Sequence, residues 1–293
     1  MKRIAVIGVG LLGSAVASRL LQGGFEVTGY DPVKTNLEAL RGRGLRPAGS
    51  IGEAAGGADV AFAILPSLET VDAAVLGPGG LVETLPRGAV VCQMSTISPA
   101  LTRTLAAAAA AKGVGFLDTP MSGTSSMVER GDCTIYVGGD PAVAERVKPV
   151  LDAIARKTVH IGEAGHAMLA KLATNLLVGL NTAAAAEALV LAAKGGLDPA
   201  KLLPVLRESA AASRMLDVRG PLMVERNFAA QMKCDLFLKD FKLMLDEGMR
   251  LGVALPLTSL AQQLTTATVA AGRGGEDLAA VIKTIEDLAG MGD

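Results

Sequence analysis

Lys171 and Asn175 lie near the start of the long, mostly apolar stretch GHAMLAKLATNLLVGLNTAAAAEALVLAA. Taking either side chain out of water costs free energy unless something nearby answers it. Spaced four apart on a helix, they share one face. A helix-borne lysine in such a setting can exchange a proton with a substrate hydroxyl. It can also stay charged and stabilise negative charge developing on an oxygen. An asparagine one turn away can orient that lysine and hydrogen-bond the same substrate. The structural alternative is a lysine whose stem lies along the core while its charge reaches water.

Two further stretches carry chemistry. The segment DTPMSGTSSMVERGD, residues 118–132, follows the strand pattern GVGFLD and presents Ser122, the Gly123 backbone, Thr124 and Ser125 in a row. Backbone N–H groups beside hydroxyls suit a carboxylate. The competing reading is a polar turn that caps the next element. The second stretch is the opening IAVIGVGLLGSAVASRLLQGG, with Gly8, Gly10 and Gly13 in GxGxxG spacing and Leu11 and Leu12 between the last two glycines. It follows one strand pattern, opens a helix and precedes a second strand, EVTGY, that ends at Asp31. In that context the glycines serve a tight turn, close approach of the backbone to a pyrophosphate, and close helix–strand packing. The helix start then offers unpaired N–H groups to phosphates. Asp31 stands where an acid accepts hydrogen bonds from the adenosine ribose. A carboxylate there repels a 2′-phosphate, so NAD(H) is expected as the preferred cofactor, with NADP(H) kept as the alternative by Lys34.

These residues need elements to hold them. RIAVIG, EVTGYD, DVAFAIL, AVVCQ and GVGFLD read as buried parallel strands, with helical stretches such as GSAVASRLLQGG and LTRTLAAAAAAKG between them. CTIYVGG and KTVHIG add an extra βα unit around a helix at Pro141–Ile154. Beyond Gly162 the strand patterns stop. Helices are expected from about His166 to Lys194, from near Pro199, over Gln231–Leu251 and Leu257–Ala271, and near Leu278–Leu288. The expected architecture is α/β: a doubly wound Rossmann-type sheet domain over 1–163, then an all-helical substrate and oligomerisation domain over 164–293. The helical half carries no further nucleotide-binding pattern, which favours a nicotinamide over a flavin.

Bulk properties narrow the partners. Of 293 residues half are hydrophobic but only 3% are aromatic, so the core must be built from Ala, Val, Leu and Met. Formal net charge is -1, which argues against a nucleic-acid partner. Mean hydropathy is +0.42, yet Lys171, Asn175 and Glu187 argue against a membrane span in the longest apolar run. MKRIAVIG enters a strand pattern without the architecture of a signal peptide, and the chain reads as cytoplasmic. Cys92, Cys133 and Cys234 are dispersed, and His160 and His166 are the only histidines, so neither a disulfide framework nor a metal site is expected. Helical faces too apolar for a lone small domain point to a homodimer or homotetramer.

Together these motifs resemble the β-hydroxyacid dehydrogenase family, which contains 3-hydroxyisobutyrate dehydrogenase and tartronate semialdehyde (2-hydroxy-3-oxopropionate) reductase. The resemblance runs over nearly the whole chain. It is carried by the GxGxxG opening, Leu65-Pro66, Ser95-Thr96, the DTPMSG loop, GxxGxxxxxKxxxN over 162–175, KDF at 239–241 and GRGGEDLAAVIKTIE. It implies that Lys171 is the catalytic lysine, with Asn175 as its companion. Ser122, Gly123 and Thr124 would hold the substrate carboxylate. Leu65, Pro66 and Thr96 would line the nicotinamide side, and Lys239 would reach substrate and cofactor. The substrate would be a small anionic 3-hydroxy acid or its semialdehyde. NFAAQMKCDLFLKDFKLMLDEG points to tartronate semialdehyde reductase first, with 3-hydroxyisobutyrate dehydrogenase, an imine reductase and a non-catalytic nucleotide-binding protein as alternatives. The chain departs from the family pattern at several positions. Thr124, Ser126 and Met127 replace common small residues, Ala167 replaces a glycine, and Lys233 stands where arginine is common in tartronate semialdehyde reductases. Larger side chains in the loop reshape the pocket and leave the substrate open.

Overall fold

In β1 (Arg3–Ile7) of the computed structural model, which describes residues 1–291, Ile4 and Val6 pack on one side of a sheet and Ala5 and Ile7 on the other. Burial on both faces marks a sheet covered by helices on both sides. The chain continues through α1 (Leu11–Gln22), β2 (Glu26–Tyr30), α2 (Lys34–Arg41), β3 (Arg46–Pro47), α3 (Ile51–Ala55) and β4 (Val60–Ala63). Then follow α4 (Leu68–Leu76), α5 (Leu81–Thr84), β5 (Val90–Gln93), α6 (Pro99–Ala111) and β6 (Gly115–Asp118). These strands lie in the order β3-β2-β1-β4-β5-β6, each neighbouring pair parallel. That is the doubly wound order in which ligands bind at the carboxyl ends of the strands.

The expected extra unit is present but differs in sense. After β6 come β7 (Met121–Ser122), α7 (Ser125–Glu129), β8 (Thr134–Gly139), α8 (Pro141–Ile154) and β9 (Lys157–Gly162). β8 runs antiparallel to both β6 and β7, and only β9 returns parallel to it. A parallel crossover needs a helix long enough to carry the chain back along the sheet. The link from β6 to β8 offers only the five-residue α7, whereas the fourteen-residue α8 carries β8 to β9.

One sheet face packs Val6, Phe62 and Cys92 against Val16 and Leu20 of α1 and Leu151 of α8. The other packs Ala61, Ala63 and Val91 against Val75 of α4 and Leu105 and Ala109 of α6. Of the alanine run in α6, Ala109 is buried in this face and Ala106 packs against it, while Ala107, Ala110 and Ala111 are exposed. Met168, fully buried, joins this second cluster from the start of α9 (His166–Lys194).

The chain divides into two compact units, Met1–Lys171 and Leu172–Asp293. The first turns of α9 therefore belong with the sheet, a little beyond the expected boundary at 163. The second unit is helical: the rest of α9, then α10 (Pro199–Glu208), α11 (Arg214–Val224), α12 (Cys234–Leu251), α13 (Pro256–Thr268) and α14 (Val281–Leu288). α11 escaped the sequence reading because Gly220 and Pro221 sit inside it, although Ser213 caps its start by accepting from Leu216 N–H. Within this unit Gly179 of α9 makes room for Phe241, whose ring an added Cβ would meet at 2.6 Å. Phe241 in turn stacks edge-on against Phe237 at 5.0 Å. Asp277 ties the loop before α12 by accepting from Gln231 and Met232 N–H while pairing with buried Arg219.

Candidate active site

The glycine turn between β1 and α1 is built by close approach. Gly8 has φ +90, and a Cβ on it would lie 2.1 Å from Ile64 O; a Cβ on Gly13 would lie 1.9 Å from Gly8 O. Neither position tolerates a side chain. Gly10 is different: it precedes α1, and nothing stands within 4 Å of its missing Cβ. No capping side chain answers the first N–H groups of α1, which leaves them to a ligand or to water. Leu11 is 84% exposed at the same end, while Leu12 packs toward the core. A turn that is steric at two glycines and open at the third fits a dinucleotide pyrophosphate.

Asp31, at the end of β2, is buried. Its Oδ2 accepts from Val9 N–H and its Oδ1 from Val33 N–H, both at 2.8 Å. The carboxylate thus braces the glycine turn and the start of α2, and each oxygen keeps a lone pair for a ribose hydroxyl. Lys34 is exposed as the first residue of α2.

The loops after β4 and β5 are stitched together. Ser95 Oγ accepts from Leu65 N–H at 2.7 Å, and buried Gln93 Nε2 donates to Ser95 O at 2.9 Å. This places half-buried Leu65, exposed Pro66 and half-buried Thr96 at the same strand ends as the glycine turn.

Ser122 belongs to β7, half-buried opposite Thr134. Gly123 lies against Cys133, whose Cβ an added Cβ would meet at 2.9 Å. Thr124 caps α7: its Oγ1 accepts from Met127 N–H at 3.4 Å and shares a hydrogen bond with Ser126 Oγ at 2.9 Å. The capping role weighed for this loop therefore belongs to Thr124, one of the three residues assigned to the substrate carboxylate. Ser126 and Met127, two departures from the family pattern, are the partners that hold the cap.

Lys171 is half-buried near the start of α9, the last residue of the first unit. That helix start is gripped by Asp118 at the end of β6, which accepts from Gly165 N–H at 3.1 Å and Met168 N–H at 2.9 Å. Burial pushes the Asp118 carboxyl up from its ordinary pKa, against the pull of these main-chain donors. Ala167 is fully buried, so its methyl group is part of the packing at this point. In the second unit, Asn175 is buried and donates from Nδ2 to Asp240 Oδ2 at 2.8 Å. Half-buried Lys239 has Nζ 3.6 Å from Asp240 Oδ1.

Asp118 and Asp240 are the residues that sequence reasoning passed over. Each stood inside a quoted motif, DTPMSG and KDF. The available signal was an acid placed where the flanking pattern is apolar.

A doubly wound sheet with an open glycine turn and a braced acid at the end of β2 fits a dinucleotide-binding fold. Comparison with known proteins places it further. Residues 3–162 match the NAD binding domain of 6-phosphogluconate dehydrogenase, and residues 164–285 match the family described as NAD-binding of NADP-dependent 3-hydroxyisobutyrate dehydrogenase. The chain is 35% identical to 2-(hydroxymethyl)glutarate dehydrogenase of Eubacterium barkeri, over 99% of this chain and 96% of that one. It is 32% identical to 2-hydroxy-3-oxopropionate reductase of Escherichia coli, over 98% of each. The crystal structure of 3-hydroxyisobutyrate dehydrogenase from Salmonella typhimurium matches with TM-score 0.86 and 32% identity, over 97% of this chain and 99% of that one. The chain belongs to the β-hydroxyacid dehydrogenase family and is an NAD(P)-dependent oxidoreductase acting on a small hydroxy acid or semialdehyde.

Proposed function

We propose that this chain interconverts a small 3-hydroxy carboxylate and its semialdehyde, with NAD(H) preferred and Lys171 as the acid–base group. The observation that carries the reading is the placement of Lys171. It lies half-buried on a helix whose start is anchored to β6, the strand that leads directly into the Ser122–Gly123 loop. When bound, NAD+ would take the hydride from the carbinol carbon in oxidation, and NADH would return it to the carbonyl carbon in reduction. Lys171 accepts the hydroxyl proton in oxidation and returns it to the carbonyl oxygen in reduction. Asn175, one turn along the same helix, orients the reacting groups. Ser122 and the Gly123 N–H hold the carboxylate. Thr124 serves that loop mainly by keeping its shape, and Lys239 remains the assigned contact to substrate and cofactor.

Among substrates, the 3-hydroxyisobutyrate type is better supported than the tartronate semialdehyde type that the sequence placed first. The matched family over 164–285 and the Salmonella structure are both described as 3-hydroxyisobutyrate dehydrogenases. Asp31 supports NAD(H): a 2′-phosphate would press against a buried carboxylate held by two main-chain donors. We place the enzyme in the cytoplasm as a homodimer or homotetramer.

A screen of short 3-hydroxy acids and semialdehydes, read by NADH absorbance with both cofactors, tests this. Turnover of 3-hydroxyisobutyrate or a close homologue, faster with NAD+ than NADP+, is expected. Turnover of tartronate semialdehyde alone would restore the earlier order. A preference for NADPH of about tenfold or more would overturn the reading of Asp31.

A further inference from the structure

Asp118 sits at the join between two parts of the proposed site. It ends β6, and four residues later the chain reaches Ser122. Its side chain leaves the strand and meets the start of α9, with Oδ1 on Gly165 N–H and Oδ2 on Met168 N–H. One carboxylate therefore fixes both the origin of the carboxylate loop and the helix that carries Lys171.

We propose that Asp118 is a positioning residue: as a carboxylate it caps the N-terminus of α9 from the neighbouring strand and thereby sets Lys171 relative to the Ser122–Gly123 loop. The proposal rests on the assignment of Lys171 as the acid–base group.

Three observations carry it. First, α9 lacks a cap of the usual local kind. The residue before it is Gly165, with φ +94 and no side chain, where Ser, Thr, Asp or Asn would ordinarily accept from the first N–H groups. Asp118, 47 residues earlier, takes that place.

Second, the surroundings are shaped to admit the carboxylate. Gly138 pairs with Asp118 across β6 and β8, and a Cβ on Gly138 would stand 2.3 Å from Asp118 Oδ1. Only glycine there leaves room for the acid.

Third, the arrangement costs free energy that a purely structural cap would not need to spend. Asp118 is fully buried, and burial raises its pKa against the lowering effect of the main-chain donors. A serine or threonine would cap a helix without burying a charge. What the buried carboxylate adds is two acceptor oxygens on two donors a turn apart, which fixes the direction of the helix as well as its end. Met168, one of those donors, is locked in the core, and Lys171 follows it by three residues, a rise of about 4.5 Å. Little slack remains between cap and lysine.

The test is a double-mutant cycle read in kcat. Asp118→Asn keeps the shape but turns one acceptor into an NH2 group that faces a main-chain N–H. In the folded variant, kcat should fall by about tenfold or more, with NADH affinity by fluorescence titration within about twofold of wild type. Made in a Lys171→Ala background, Asp118→Asn should cause no further loss, because the group it positions is gone. If Asp118→Asn does not fold, Gly138→Ala displaces the same carboxylate without changing its charge and is read by the same criteria. A kcat within about twofold of wild type overturns the proposal, as does a loss that reappears in full on Lys171→Ala. Failure of the underlying assignment is seen separately, as near-full kcat in Lys171→Ala alone.

Discussion

Lys171 and Asn175 look alike in the sequence, two polar residues in a mostly apolar helix, but Lys171 is half-buried and Asn175 fully so. Lys171→Ala should lower kcat by about 10² or more, the scale of a positioned acid–base group. Alanine is the better helix former, so the melting temperature should hold. Asn175 is the donor to a buried carboxylate oxygen of Asp240. Asn175→Ala removes this hydrogen bond to a buried carboxylate, at a cost of about 1–3 kcal/mol. It should therefore melt clearly lower while losing less rate than Lys171→Ala. Steady-state rates and melting curves on the two variants separate the roles; a Lys171→Ala variant that keeps its rate but melts low would make the lysine structural. Ser122→Ala addresses the carboxylate loop. It should raise KM about ten- to a hundredfold, the effect of losing a hydrogen bond to a charged group, and leave NADH affinity nearly unchanged. An unchanged KM for every active hydroxy acid would move the carboxylate site elsewhere.

At the scale of elements, the glycine turn separates two kinds of glycine that a motif cannot distinguish. Gly13→Ala drives a methyl group into Gly8 O, so both the melting temperature and NADH binding should fall. Gly10→Ala points into open space. Its melting temperature should stay put while NADH binding weakens, since the methyl group takes room that the pyrophosphate needs. Equal effects of the two substitutions on stability would contradict this division. The contrast also marks what the sequence made legible. The cradle's glycine turn, the parallel order's strands and α9 from His166 to Lys194 follow from local pattern: β1 is a short, near-continuous apolar run ahead of the glycine turn, and α9 is a long, mostly apolar stretch free of proline. β3 and β7 are two residues each, too short to show any alternation. α11 was hidden by its internal Pro221. Asp118 and Asp240 act on donors 47 and 65 residues away, and no local spacing announces such a contact. The capping role of Thr124 is local, and a polar turn that caps the next element is the alternative reading the loop's sequence offers, without marking which residue does it.

At the scale of the whole molecule, α9 leaves one side uncovered. It has mean hydropathy 1.8 in its most apolar window, yet only 39% of that window is buried within the chain. Ala173, Leu177, Ala184 and Leu191 are exposed at spacings of 4, 7 and 7 residues, which keeps them on one helical stripe. Leu177 and Leu191 are 56% and 78% exposed. Glu187 is exposed on the same stripe between Ala184 and Leu191, so the apolar surface is interrupted there, but covering a leucine fully is still worth about 1.5–3 kcal/mol. A second copy of the chain is the simplest cover, since a two-fold axis lets the same stripe meet itself. Glu187 is exposed on the same helix and would be costly in a bilayer, which weighs against a membrane as the cover. Light scattering at micromolar concentration, without detergent, should give a dimer or tetramer. The melting temperature should rise with protein concentration, because assembly stabilises the folded state by mass action. Leu177→Glu with Leu191→Glu should shift the particle toward monomer and remove that concentration dependence. A wild-type chain that scatters as a monomer, or a double variant that assembles as before, would show that this stripe is not the contact.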